Sequence, residues 1–228
     1  MIVHPNISAL TALLTERSRA AILAALMDGK FHTASELAYM ASIKPQTASF
    51  HLAKLEENNL IICEKHGRFR YFRLANDEVA NTLEIIMAIS PLPEVRSLNQ
   101  SSQLKKLESA RTCYDHLAGR VSVSLTKLME EAGYIERDNK KFLVTKSGEL
   151  FFEDFGVDLV GLSKKRRAFS NACLDWSERT YHLGGALGNG LFERYLELDW
   201  IETKENSREV VITDRGKSGF KDLFGLEI

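Results

Sequence analysis

Two groups of residues in this 228-residue chain have types and spacings that could do chemistry. The first is Cys113-Tyr114-Asp115-His116, echoed by Cys173-Leu174-Asp175 and then His182. Two thiols and two imidazoles, with Asp115 and Asp175 beside them, make a ligand set for a transition metal of the zinc type. If each cysteine opens a helix next to Arg111 or Arg179, it is instead a low-pKa thiol that senses oxidants or electrophiles. As packing residues they are small buried hydrophobes flanked by helix-end ion pairs. The residues leave all three readings open. The second group is Gln46, Thr47, Ser49, Phe50, His51 and Lys54, followed closely by Lys65, Arg68 and Arg70. Glutamine pairs with an adenine edge, small hydroxyls reach base or phosphate, an aromatic ring meets thymine methyls, and lysine and arginine neutralise phosphates.

The elements that would position the second group are legible. Thr15 reads as a helix cap before an Ala/Leu-rich helix that ends at Asp28-Gly29. Thr33 and Glu36 form a capping box for a short helix over about 34–41. Pro45 opens the next helix, in which Ala48, Leu52 and Leu55 make the buried stripe and Gln46, Thr47, Phe50 and Lys54 face outward. Ile61 to Leu74 alternates apolar and basic residues around Gly67, as a hairpin does. A last helix over Asn76–Ile89 is apolar around much of its circumference, which requires cover on two sides.

These residues resemble the arsenic-repressor (ArsR) family of winged-helix transcriptional regulators. Ser49-Phe50-His51-Leu52 matches its recognition helix, and Gly67-Arg68-Phe69-Arg70-Tyr71 matches its wing. The resemblance covers about residues 8–92. Asn58-Asn59 departs from the small residue and glycine common there, which puts the local turn geometry in question. The resemblance implies a homodimer, paired through the first and last helices of the region, on a palindromic double-stranded DNA operator. It also implies regulation by an effector, whether small molecule, metal or oxidant. The family's familiar metal positions are not filled: Glu36-Leu37-Ala38-Tyr39-Met40 stands where some members carry a Cys-x-Cys pair, and the last helix lacks the Asp/His set of others. Cys63 stands alone in a wing strand and reads as packing.

Residues 1–92 are therefore expected to be a winged helix-turn-helix DNA-binding and dimerisation domain. Ser90-Pro91-Leu92-Pro93 and the polar run after it read as a linker over 93–103. Residues 104–228 read as a sensing or assembly domain with an internal repeat, about 116–156 and 182–225. His116-Leu117-Ala118-Gly119 recurs as His182-Leu183-Gly184-Gly185, and Gly133-Tyr134-Ile135-Glu136 as Asp199-Trp200-Ile201-Glu202. Each copy reads as helix, hairpin, short helix, a winged-helix-like unit. The fold class is mainly α with small β-hairpin wings. The segment around Cys173-Leu174-Asp175-Trp176 is also similar to one in regulators of this kind that bear long C-terminal extensions, without implying their effector.

Net charge of -1 means that DNA binding needs a local basic face: Lys44, Lys54, Lys65, Arg68, Arg70 and Arg73 against Glu56, Glu57 and Glu64. Three widely spaced cysteines argue for a reducing cytoplasm. No membrane span or leader is expected. Phosphate-loop, nucleophile-elbow and zinc-protease motifs are missing from the sequence, so no catalysis is expected. A protein-interaction module on a winged-helix scaffold is the alternative function, with a thiol or metal enzyme behind it.

Overall fold

The computed structural model describes residues 6–228. The stretch from which the lack of a leader is read begins outside them. The described chain divides into two compact units.

The first unit runs to Leu83 and includes Glu205–Ser207. Helix α1 (Ile7–Leu14) precedes α2 (Arg17–Ala25). The cap of α2 is Glu16 rather than the expected Thr15: its carboxylate accepts from the Arg19 amide at 2.8 Å, an ionised acceptor at the positive end of the helix. Gly29 ends the following turn at φ 71°. Strand β1 (His32–Thr33) leads into α3 (Ala34–Met40), where Thr33 and Glu36 form the expected capping box. Ser42 turns the chain at φ 54°, and α4 (Pro45–Glu57) starts on its proline. Strands β2 (Ile61–His66) and β3 (Phe69–Leu74) pair antiparallel about a Gly67-Arg68 turn. β1 adds to the β3 edge, His32 opposite Phe72. Ile22, Leu26, Leu37, Ala48, Leu52, Leu55, Ile61, Phe72 and Leu74 make the core under this three-helix, three-strand frame. Helix α5 (Asp77–Ile89) follows.

The second unit comprises Glu84–Lys204 and Arg208–Ile228. The segment expected as a linker is a helix from Leu98 onward, α6 (Leu98–Ser109). The polar run that reads as linker supplies its start: the Ser97 hydroxyl accepts from the Gln100 amide, and the Arg96 amide donates to the Gln100 side chain.

The same order of elements then occurs twice. The first copy is β4 (Arg111–Cys113), β5 (His116–Ala118), α7 (Arg120–Glu131), β6 (Ile135–Asp138), β7 (Lys141–Val144) and α8 (Lys146–Asp154). After the short α9 (Leu159–Ser163) come β8 (Asn171–Leu174), β9 (Tyr181–Gly184), α10 (Gly185–Glu197), β10 (Ile201–Thr203), β11 (Val210–Ile212) and α11 (Asp214–Phe224). The expected helix–hairpin–helix order is thus preceded in each copy by a further hairpin. Matching positions do matching work. Thr145 caps α8 and reaches back to the Gly133 and Tyr134 carbonyls, while Thr213 caps α11 and reaches back to those of Asp199 and Trp200.

The copies interlock. The Ala172 amide of β8 bonds the Lys140 carbonyl of the first copy. Reciprocally, the Thr112 amide of β4 bonds the Arg208 carbonyl, and Val210 bonds Ala110. One core holds side chains from both copies, among them Leu125, Met129, Phe142, Phe152, Leu187, Tyr195 and Phe220. No helix of the described residues is long and apolar enough to cross a membrane.

Candidate functional sites

In the first unit, α4 turns one face inward and the other to solvent. A rotation of 100° per residue sets Ala48, Leu52 and Leu55 into the core. Gln46, Thr47, Ser49, Phe50, Ala53 and Lys54 are exposed, Phe50 by 57%. Lys54 lies over the Phe50 ring at 4.9 Å, so the aromatic edge and the charge form one surface. Ser49 also bonds the Pro45 carbonyl within the helix.

His51 does not join that face. It is 6% exposed, because it shares the buried stripe with Ala48, Leu52 and Leu55, and its Nε2 sits 3.3 Å from Glu16. Its expected outward role is therefore corrected to an inward one that ties α4 to the start of α2. Beyond α4, Lys65 and Arg68 project from the hairpin tip. Arg70 is half-exposed but engaged: Glu56 of α4 accepts from it at 2.8 Å, and the Cys63 sulfur lies at 3.1 Å from its Nε. It braces the wing against α4. Cys63 is half-buried in β2.

In the second unit, the two Cys/His sets come together. They do not start helices: Cys113 and Cys173 are strand residues, and each lies directly across its hairpin from its histidine, Cys113 opposite His116 and Cys173 opposite His182. Side chains paired across adjacent strands project to the same face. The two hairpins meet face to face, with Cys113 Sγ 3.7 Å from Cys173 Sγ and His116 Nε2 3.1 Å from His182 Nε2. All four donor atoms lie within 4.8 Å of one another. Cys113, His116 and His182 are buried and Cys173 is half-buried.

The two aspartates stand behind the histidines rather than among the donors. Asp115 Oδ1 is 3.3 Å from His116 Nδ1, and Asp175 Oδ2 is 3.6 Å from His182 Nδ1. Each aspartate is matched by an arginine from the other half of the unit: Arg167 for Asp115, and Arg111, at 2.9 Å, for Asp175. Arg111, expected beside a helix-opening Cys113 as a group that lowers its pKa, pairs with Asp175 instead. It is only 1% exposed, sits 4.3 Å over the Trp176 ring and bonds the Leu107 carbonyl and Ser177 hydroxyl. The signal for that pairing was an arginine heading a strand otherwise made of buried residues. Asp175 further accepts from the Gly119 amide at 2.7 Å and from the Ser177 amide at 2.9 Å.

The electrostatics follow from burial. Burial pushes the Cys113 thiol well up, and the Cys173 sulfur adds to it. That corrects the low-pKa thiol reading for Cys113, whose premise was a helix start beside Arg111. Burial alone would depress His116, but the Cys113 sulfur and the Asp115 carboxylate beside it outweigh burial and lift it to about 10. His182 is held well below the usual imidazole range by burial and by neighbouring His116. For Asp115, burial is outweighed by hydrogen bonds from His116 and Arg167, giving about 2. Asp175 is likewise lowered: burial is outweighed by the Arg111 charge. The opposite shifts of the two imidazoles favour the positive charge on His116 beside a neutral His182, joined by the Nε2–Nε2 hydrogen bond.

An exposed helix face beside a basic β-hairpin, on a three-helix frame, defines the class: a winged helix-turn-helix protein. The helix-turn-helix domain family matches residues 14–64. The HTH-type transcriptional regulator YdfF of Bacillus subtilis (strain 168) is 48% identical over 226 residues, which cover 99% of this chain and 100% of the relative. The chain belongs to this family of HTH-type transcriptional regulators. Solved structures give partial likenesses. The antimony-specific transcriptional repressor AntR is 23% identical, covering 36% of this chain and 73% of its own, at TM-score 0.33. A homodimeric winged helix-turn-helix DNA-binding domain from Mycobacterium bovis is 17% identical, covering 42% and 100%, at TM-score 0.34. At such TM-scores these likenesses carry no weight.

Proposed function

We propose that this regulator is a cytoplasmic homodimeric repressor whose α4 enters the major groove of a palindromic operator. Gln46, Thr47, Phe50 and Lys54 are placed against base edges and sugars, Ser49 near the backbone, and Lys65 and Arg68 on the flanking phosphates. The observation that carries this reading is the outward Phe50. A large aromatic left in water on the well-packed frame of α4 makes sense when thymine methyls or sugar edges cover it. The apolar Ile85 and Ile89 of α5, both exposed, support a dimer.

The second unit, on this reading, is two copies of one winged-helix-like element that no longer contacts DNA and instead controls the first unit. A transition metal held by Cys113, His116, Cys173 and His182 is its cofactor or effector, because two sulfurs and two imidazole nitrogens converge there. An anisotropy titration with DNA from the protein's own promoter region tests the DNA reading. Binding that prefers this DNA over a scrambled duplex, and weakens in Gln46→Ala with Phe50→Ala, supports it. Sequence-indifferent binding untouched by those changes overturns it.

A further inference from the structure

We propose that the Cys/His cluster is a closed, four-coordinate site for a divalent ion of the zinc class, bound by both Sγ and both Nε2 atoms, and that the ion pins the two hairpins of the second unit together. This rests on the metal reading above and goes beyond it in naming the ion class, the ligating atoms and the structural consequence.

The donor chemistry and the two like-atom distances point to the ion class, while the four donors as a set lie within 4.8 Å and close further on an ion. With zinc–sulfur bonds of about 2.3 Å and zinc–nitrogen bonds of about 2.0–2.1 Å, a tetrahedron has sulfur atoms about 3.8 Å apart and nitrogens about 3.3 Å apart. The chain places them at 3.7 Å and 3.1 Å. A square-planar ion would set its sulfurs at about 3.3 Å when adjacent or about 4.6 Å when opposite, given the same bond length. Thiolate and imidazole donors also disfavour magnesium and calcium, which take oxygen.

The histidine orientation carries the ligating atoms. Both Nδ1 atoms face carboxylates, Asp115 and Asp175. With its proton toward a carboxylate, each ring presents its Nε2 lone pair to the cluster. Without an ion, one ring's proton bridges the 3.1 Å between them as a hydrogen bond; with an ion, that proton leaves and both Nε2 lone pairs turn to the metal. His182 Nδ1, wholly buried and without a hydrogen-bond partner, faces the Asp175 carboxylate at 3.6 Å. A ligated His182 would place its Nδ1 proton there. The two aspartates already carry their own arginines, so the charge of two thiolates is left for the ion to neutralise.

The duplication carries the pin. Each hairpin supplies one thiol and one imidazole, so neither holds a four-coordinate ion alone. The site also leaves a ligand room by design. A Cβ at Gly184 would lie 3.0 Å from His116 Nε2, a tight contact that would press on the ring, so glycine there leaves the ring unobstructed. Four protein donors leave no position for water or substrate, which marks the site as one that holds structure.

The test is a Co2+ titration of the full chain, stripped of metal and reduced, with hydrogen exchange followed on the same samples. The proposal expects one ion per chain, the strong visible bands of tetrahedral Co2+ with thiolate charge transfer, and joint protection of residues 111–118 and 171–184. Asp115→Asn, which keeps all four donors, is expected to weaken binding about 10- to 100-fold with the same spectrum. Cys113→Ser is expected to lose half of the charge-transfer intensity if it folds. One bound ion with six-coordinate spectra, or protection of one hairpin alone, overturns the closed pin and leaves a metal site of another kind. No uptake by the reduced, folded chain overturns the pin and the metal reading together.

Discussion

Phe50 and His51 are neighbours in sequence and opposites in role, 57% and 6% exposed. Replacing Phe50 with Ala removes a group that touches little of its own fold, so thermal stability should stay within about 0.5 kcal/mol. Affinity for the operator should fall by about 1–3 kcal/mol, roughly 5- to 150-fold in anisotropy. Replacing His51 with Ala should do the reverse. It opens a buried site and deprives Glu16 of its partner, and should cost about 1–3 kcal/mol in a denaturant melt with sequence preference retained. The sequence carried the outward set by helical period alone, and it placed Phe50 and Lys54 correctly. It misjudged His51 because a histidine beside an apolar stripe looks polar until Glu16, 35 residues earlier, is seen to meet it.

The wing is a β-hairpin braced from behind. Arg70 spends its charge on Glu56, whereas Lys65 and Arg68 are free of α4 and project at the tip. The double change Lys65→Ala with Arg68→Ala should therefore make the slope of log affinity against log salt shallower by about two, at unchanged sequence preference. In the second unit the hairpins β4–β5 and β8–β9 were not legible. Each strand has only three or four residues, too few for a period to show, and their cysteines next to arginines read as helix starts. What the sequence did carry was the repeat. His116 and His182 align in it, and their side chains meet in space. Gly184→Val should push the His116 ring out of the cluster and weaken Co2+ binding at least 10-fold, read from the visible spectrum, with far-ultraviolet circular dichroism preserved.

At the scale of the whole chain, two compact units divide the work. One carries the surface suited to DNA; the other joins two copies of an element around a shared core and a shared ligand cluster. Removal of a bound ion should lower the stability of the second unit. At free metal of 100 times Kd the contribution is about 2.7 kcal/mol, which for a unit of this size is a shift of roughly 5–10 °C in scanning calorimetry. A chelated sample that melts where the loaded one does would contradict a structural ion. The repeat and the change in composition near residue 90 suggest two halves in the sequence; the compact units divide after Leu83, within α5. The interlock of the copies was not legible, because it depends on backbone bonds between segments that sit far apart in sequence, such as Thr112 to Arg208.

The account turns on α4 reading DNA, and one titration addresses it most directly. Full-length protein is titrated into labelled duplex from its own promoter region and into a scrambled duplex of equal length, at one fixed salt concentration. The expected result is a preference of at least about 1000-fold for the native sequence, largely lost in Gln46→Ala with Phe50→Ala. Equal affinity for both duplexes, unchanged by that pair of substitutions, would contradict it.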